Sequence, residues 1–247
     1  MALKKSDGNM YPWVTHTHSH IMGACAHACK YCYVQAMAKK YPNLSLRYSG
    51  EPKLDSAELN VDYGKGKTIF VEHMSDILAP NVPIEMVRAV IYHCRRYPEN
   101  TYVFQTKNLR RYWEVMDDLP ENAVLGTTIE TNRPMRPVIK NDGSGYTAGI
   151  SNAPDPFERS AEMAKIRSST LHPTFVTIEP ILDFDLNTLA EMVGIIRPMF
   201  VNIGADSKHT EGLDEPTRQQ VLDLVDRLKM HYGIEVRDKH NLERLLA

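Results

Sequence analysis

Cysteine is scarce in this chain of 247 residues: there are four, alongside two tryptophans. Three of the four cluster within eight positions and the fourth, Cys94, stands alone, so no paired disulfide framework can be read. The opening MALKKSDGNMYP contains two lysines but no apolar stretch of the kind a secretory leader needs. A cytoplasmic protein with reduced thiols is therefore expected, and a clustered trio of reduced thiols points to a metal. No run approaches the roughly 18 apolar residues of a membrane span, so no membrane partner is expected. An excess of charge is also missing: 29 basic against 31 acidic side chains leave a net −2, with no global electrostatic footprint for nucleic acid. Internal repeats and low-complexity tracts are absent. What remains is an ordinary globular composition, 43% hydrophobic and 24% charged, with material for a substantial core. About 250 residues is also the usual size of one α/β barrel.

Short apolar, β-branched runs alternate with amphipathic ones along most of the chain. Strands are expected in WVTHTHSH (13–20), KTIFVEHM (67–74), TYVFQTKN (101–108), AVLGTTIE (123–130), PTFVTIEPIL (173–182) and MFVNIGADS (199–207). Helices are expected in YVQAMAKKY after the cysteines, then over 82–98, 109–119, 157–169, 185–198 and 215–233. In the first of those numbered segments Val87, Val90, Ile91 and Cys94 recur at i, i+3, i+4 and i+7. Asp185 reads as an N-cap, Pro216 as a helix start and Gly233 as a helix stop. Six strand–helix units imply a parallel sheet with right-handed crossovers, either an open doubly wound sheet or an incomplete barrel. Ligands would sit at the C-terminal strand ends in both cases. One segment, 131–156, follows the fourth strand, is rich in Gly, Pro and Asn, and carries Arg133, Arg136 and Lys140. At that length it reads as a lid or binding loop over the active face, or as an insertion without a role.

The three clustered cysteines, Cys25, Cys29 and Cys32, are spaced C-x3-C-x2-C in CAHACKYC. Structural zinc needs four ligands, and His16, His18, His20 or His27 could complete three cysteines in a zinc-stabilised binding module without catalysis. A four-iron cluster held by three thiolates would instead leave one iron without a protein ligand, open to a small chelating molecule.

The spacing, with Tyr31 immediately before the last cysteine, resembles the signature of the radical SAM superfamily. The elements IFVEHMSDILAPNVP, YVFQTKNLRRY, LGTTIETN and VNIGADS resemble a group of phage-associated and bacterial radical SAM proteins of unassigned function, distantly similar to spore photoproduct lyase. The likeness runs over about residues 10 to 240. It implies one radical SAM domain over 1–247, a partial (β/α)6 barrel, with a long loop at about 131–156. It also implies a [4Fe-4S] cluster on the three cysteines, S-adenosyl-L-methionine (SAM) on the open iron, and an external one-electron reductant. SAM cleavage would then give a 5′-deoxyadenosyl radical that abstracts hydrogen from a substrate. The resemblance favours a nucleobase or nucleotide in DNA, with a small molecule or peptide as the alternative, in the cytoplasm of a bacterial or phage-infected cell.

Lys107 at the end of the third strand resembles a lysine that meets the SAM carboxylate in such proteins, against the alternative of a solvated loop lysine. Thr128 and Glu130 could hydrogen-bond the ribose, Glu179 offers a further polar contact, and Tyr31 should lie near the adenine. Many superfamily members place Gly-Gly-Glu after the second strand to receive the SAM amino group; here that position reads EHMSD (72–76), where Ser75 or backbone carbonyls would substitute. His16, His18 and His20 alternate along the first strand, which suggests substrate contacts, support of the site or structural roles before a metal. Cys94, a conceivable hydrogen donor, sits on an apolar stripe and reads as a core residue. The pairs Arg95-Arg96 and Arg110-Arg111 read as solvated faces unless they cluster with the basic residues of 131–156.

Overall fold

The computed structural model describes residues 3–136 and 149–247. It divides into two compact units. The first comprises Met1–Ala26, Val34–Gly126 and Leu171–Thr174, and the second His27–Tyr33, Thr127–Thr170 and Phe175–Ala247.

In the first unit the strands are β1 (Lys4–Lys5), β2 (His16–His18), β3 (Ile21–Met22), β4 (Lys53–Leu54), β5 (Thr68–Val71), β6 (Thr101–Thr106) and most of β7 (Ala123–Thr128). Its helices are α1 (Tyr33–Ala38), α2 (Pro42–Arg47) and α3 (Ile84–Arg95). The sheet order is β1-β2-β5-β6-β7. β2 pairs in parallel with β5, and β5 with β6, while the edge strand β1 runs antiparallel. β3 and β4 form a separate antiparallel pair. The stripe on α3 faces inward as its spacing predicts: Val87, Val90, Ile91 and Cys94 are all buried. Each aliphatic side chain so buried contributes about 1.5–3 kcal/mol relative to exposure. Burial, and then the Glu72 charge, push the Cys94 thiol up, so it stays protonated in the core.

In the second unit β7 is followed by α4 (Pro156–Ser169), β8 (Thr174–Ile178), α5 (Leu186–Gly194), β9 (Phe200–Ile203), α6 (Arg218–Asp226), β10 (Glu235–Asp238) and α7 (Glu243–Leu246). The order is β7-β8-β9-β10, with β8, β9 and β10 parallel. Every residue of β8 and β9 is buried, which is why they read as continuous apolar runs rather than alternating ones. Asp185 caps α5 as expected, its Oδ1 accepting from the Thr188 amide at 3.0 Å.

All six expected strands are present in an α/β arrangement with a mostly parallel sheet. β1 and β10 end the strand order, so the sheet is open and forms no closed barrel. Three expectations need correction. Residues 109–119 form two 3-10 turns, Leu109–Glu114 and Met116–Asp118, instead of an α-helix. The helix expected from Pro216 starts one residue after Thr217, whose side chain and Gln220 make a capping box, and it relaxes into a wider π turn over Arg227–His231 before Gly233. β10 was not expected, because EVRD offers only one apolar side chain to a pattern search. Among the described residues, no helix is long and apolar enough to cross a membrane.

Candidate functional site

The cysteine loop leaves β3 through Gly23, which has φ +98°. A Cβ there would come within 2.5 Å of the Glu51 carbonyl oxygen, so the backbone can pass only without a side chain. Asn81 then holds the first half of the loop. Its Oδ1 accepts from the Ala26 amide at 3.2 Å and its Nδ2 donates to the Ala24 carbonyl at 2.8 Å. Ala28 adopts a left-handed φ of +44°. Cys25, Cys29 and Cys32 are half-buried, in contrast to the sealed Cys94. Three soft thiols offered on eight consecutive residues suit thiolate ligation of an iron–sulfur cluster. Among the described residues, no three Cys, His, Asp or Glu side chains are gathered closely enough to hold one metal ion.

In the second unit a short strap backs the loop. The Lys30 amide donates to the Ile150 carbonyl at 2.9 Å, and the Asn152 amide to the His27 carbonyl at 2.8 Å. Between those two bonds, Ser151 Oγ lies 3.0 Å from Cys29 Sγ. Residues 149–156 of the long segment are thus described and in contact with the loop, whereas Lys140 and the rest of 137–148 lie outside the described residues.

Tyr31 donates its hydroxyl proton to Glu130 Oε1. Burial, and then the Glu130 charge, raise this phenol well above its ordinary range, so it remains a donor. Glu130 Oε2 pairs with Arg159 Nη1 at 2.8 Å, and both side chains are fully buried. Arg159 also donates to the Pro154 carbonyl at 2.9 Å and to the Thr128 carbonyl, and approaches Met135 Sδ at 3.3 Å. Thr128 and Glu130 are therefore brought together with Tyr31, through an arginine that sequence reasoning missed. The available signal was a charge on a buried stripe: Arg159 lies among Pro156, Ser160, Met163 and Ile166 on the inward face of α4.

Glu179, ending β8, belongs to a separate group. Its Oε2 accepts from Lys239 Nζ at 2.6 Å and its Oε1 from Asn241 Nδ2 at 2.9 Å. Gly204 keeps this group close-packed, since a Cβ there would stand 2.8 Å from both Glu179 Oε1 and Asn241 Oδ1.

In the first unit Ser75 and Lys107 lie on neighbouring strand ends. The Ser75 amide donates to the Glu72 carbonyl at 3.2 Å, and Asp76 Oδ2 accepts from the Lys107 amide at 2.8 Å. Both side chains are half-buried. Glu72, first residue of EHMSD, takes φ +59° and turns its carboxylate inward. Oε1 accepts from the His20 amide and lies 2.7 Å from His20 Nδ1, while Oε2 accepts from the Ile21 amide at 3.1 Å. His20 Nε2 is 2.7 Å from the Tyr63 hydroxyl, and His93 packs edge-on against both rings. His18 Nε2 is 3.4 Å from buried Glu58 Oε2. Burial, then the proximity of His20, lower His18 to about 3; the same causes in the same order lower His93 to about 4. The histidines therefore divide: His16 on β2 is half-buried, whereas His18 and His20 are buried polar supports.

Three of the arginines have partners within their own units. Arg133 pairs with Asp183 at 3.1 Å, Arg136 donates to the Ala153 carbonyl at 2.8 Å, and Arg111 donates to the Val82 carbonyl at 2.8 Å.

The fold is similar to that of spore photoproduct lyase. A lyase complexed with dinucleoside spore photoproduct superposes with a TM-score of 0.60 at 10% identity, over 94% of this chain and 79% of that one. A double mutant of the lyase with bound AdoMet and dinucleoside spore photoproduct gives 0.51 at 12% identity, over 90% of this chain. This chain spans 63% of the length of that protein. A radical SAM methyltransferase from Sphaerobacter thermophilus gives 0.49 at 13% identity, over 96% and 70% of the two chains. No curated protein matches the sequence. A sequence-family profile does, over residues 9–141, more than half the chain, and the protein therefore belongs to the family described as "Protein of unknown function (DUF5131)".

Proposed function

We propose that this protein is a radical SAM enzyme in which Cys25, Cys29 and Cys32 hold a [4Fe-4S] cluster. The observation that carries the reading is the placement of three half-buried thiols on one loop after the first parallel strand, on a fold similar to that of spore photoproduct lyase. When bound, such a cluster supplies the electron that splits SAM into methionine and a 5′-deoxyadenosyl radical. In this reading the strands and helices belong to a partial (β/α)6 barrel of the radical SAM type.

The chain's own residues have definable tasks in this reading. Asn81 fixes the backbone on both sides of Cys25, and the strap at 150–152 fixes it around Cys29. Lys107 would meet the SAM carboxylate and Ser75 the amino group. Glu130, neutralised by Arg159, would act through Tyr31 by holding the aromatic ring in place beside Cys32. Thr128 and Glu179 remain candidates for ribose and other polar contacts. An external one-electron donor is needed. The substrate class we favour is a nucleobase or nucleotide, because the similar lyase is seen with a dinucleoside ligand.

The test is anaerobic reconstitution followed by counting iron and sulfide, then reduction with dithionite in the presence of SAM. About four irons per chain and release of 5′-deoxyadenosine are expected, and Cys25→Ala should lose both. One zinc per chain with neither iron uptake nor deoxyadenosine would overturn the reading in favour of a zinc-stabilised binding module. Deoxyadenosine release accelerated by a dinucleotide, and not by small amino acids or peptides, would support the substrate class.

A further inference from the structure

Ser151 is buried and lies at the centre of the strap behind the cysteine loop. Its oxygen has one hydrogen and two lone pairs to place. The Ala153 amide donates to it at 3.1 Å and occupies one lone pair. Two acceptors compete for the hydrogen: the His27 carbonyl at 3.2 Å and the Cys29 sulfur at 3.0 Å. With Cys29 as a thiol, both demands can be met, since the S–H can point at the free lone pair while the hydroxyl serves His27. A metal-bound thiolate changes this, because the sulfur no longer has a proton and can only accept. The negatively charged sulfur is then the stronger acceptor, since hydrogen bonds to ionised partners are roughly twice as strong as neutral ones. The His27 carbonyl is not stranded by the switch, because it also accepts from the Asn152 amide at 2.8 Å.

We propose that Ser151 is a positioning residue for the cluster: its hydroxyl donates to the Cys29 sulfur when that sulfur ligates iron, and so raises the cluster's reduction potential. This rests on the reading of the three cysteines as cluster ligands. Hydrogen bonds to the sulfurs are among the levers that set iron–sulfur potentials, and a donor favours the more negative, reduced state. The hydroxyl end of this contact is buried, while the sulfur end is half-buried.

The test uses the full-length reconstituted protein. Reduction is titrated by electron paramagnetic resonance, and the iron–sulfur(cysteine) stretch is recorded by resonance Raman in H2O and D2O. Ser151→Ala should disfavour reduction about tenfold, which for one electron is about 59 mV more negative. It should also lose part of the D2O shift, while Ser151→Thr, which keeps the hydroxyl, should retain the wild-type potential. Equal potentials in wild type and Ser151→Ala, both holding four irons, would overturn this inference and leave the cofactor reading intact. A wild-type stretch insensitive to D2O would overturn it without any variant. A wild type that takes up no four-iron cluster would overturn both, and the iron count distinguishes that result from the others.

Discussion

Two carboxylates, one in each unit, perform parallel tasks by different chemistry. Glu72 follows β5 and Glu130 follows β7; both are buried, and both hold residues flanking the cysteine loop, His20 and Ile21 before it and Tyr31 within it. Glu130 is neutralised by the Arg159 guanidinium, 2.8 Å away and equally buried. Glu72 is instead surrounded by backbone amides, a histidine and a tyrosine, with further histidines behind them. The Glu72 arrangement is satisfied by hydrogen bonds and lies near His93, which, like His18, burial holds well below the ordinary histidine range. A buried anion can thus be accommodated by a matching charge or by oriented donors.

The largest effect should come from Arg159→Leu, which strands the Glu130 carboxylate away from water. A loss of about 3–5 kcal/mol is expected, read as a fall in the urea midpoint. Adding Glu130→Gln to that variant should restore part of the loss; an unimproved double variant would show that the arginine's carbonyl contacts, not its charge, matter most.

Glu72→Gln keeps the shape but gives one amide-bearing position a donor where two donors already converge. A loss of about 1.5–3 kcal/mol is expected, and the midpoint in urea measures it. A cost equal to that of Arg159→Leu would erase the distinction between the two sites.

The pH profile sharpens the comparison further. His18 and His93, lowered to about 3 and about 4 from an unfolded value near 6.5, bind fewer protons folded than unfolded between those limits. Their contribution is therefore complete above about pH 6.5 and is lost as the pH falls toward 4 and then 3. Urea midpoints at pH 8, 6.5 and 5 should drop only across the lower interval. In a His18→Gln/His93→Gln double variant that drop should shrink.

Tyr31→Phe should have the smallest effect on stability, about 1 kcal/mol from one lost hydrogen bond partly offset by Arg159. Its larger consequence should appear in SAM affinity, measured by equilibrium dialysis with the reconstituted protein.

The fold was largely legible in the sequence. Continuous apolar runs marked β8 and β9, and the spacing of Val87 to Cys94 marked both α3 and the burial of its cysteine. Short or polar elements escaped, β10 and the 3-10 turns after β6 among them, because tertiary pairing rather than local pattern determines them. Individual site residues could be picked out by type and position, but their partners could not. Nothing in the spacing of Tyr31, Glu130 and Arg159, or of Cys29 and Ser151, reveals contacts over separations of 99, 29 and 122 positions.

The arginine enclosed beneath Tyr31 also constrains how this lineage can vary. Losing either member of the Arg159–Glu130 pair leaves a charge in a dry interior, so single replacements are penalised while a joint exchange for apolar or neutral side chains is tolerable. Among relatives, these two positions should therefore be kept together or change together. A family tree in which they drift independently would mark the branches where the loop is held by some other means.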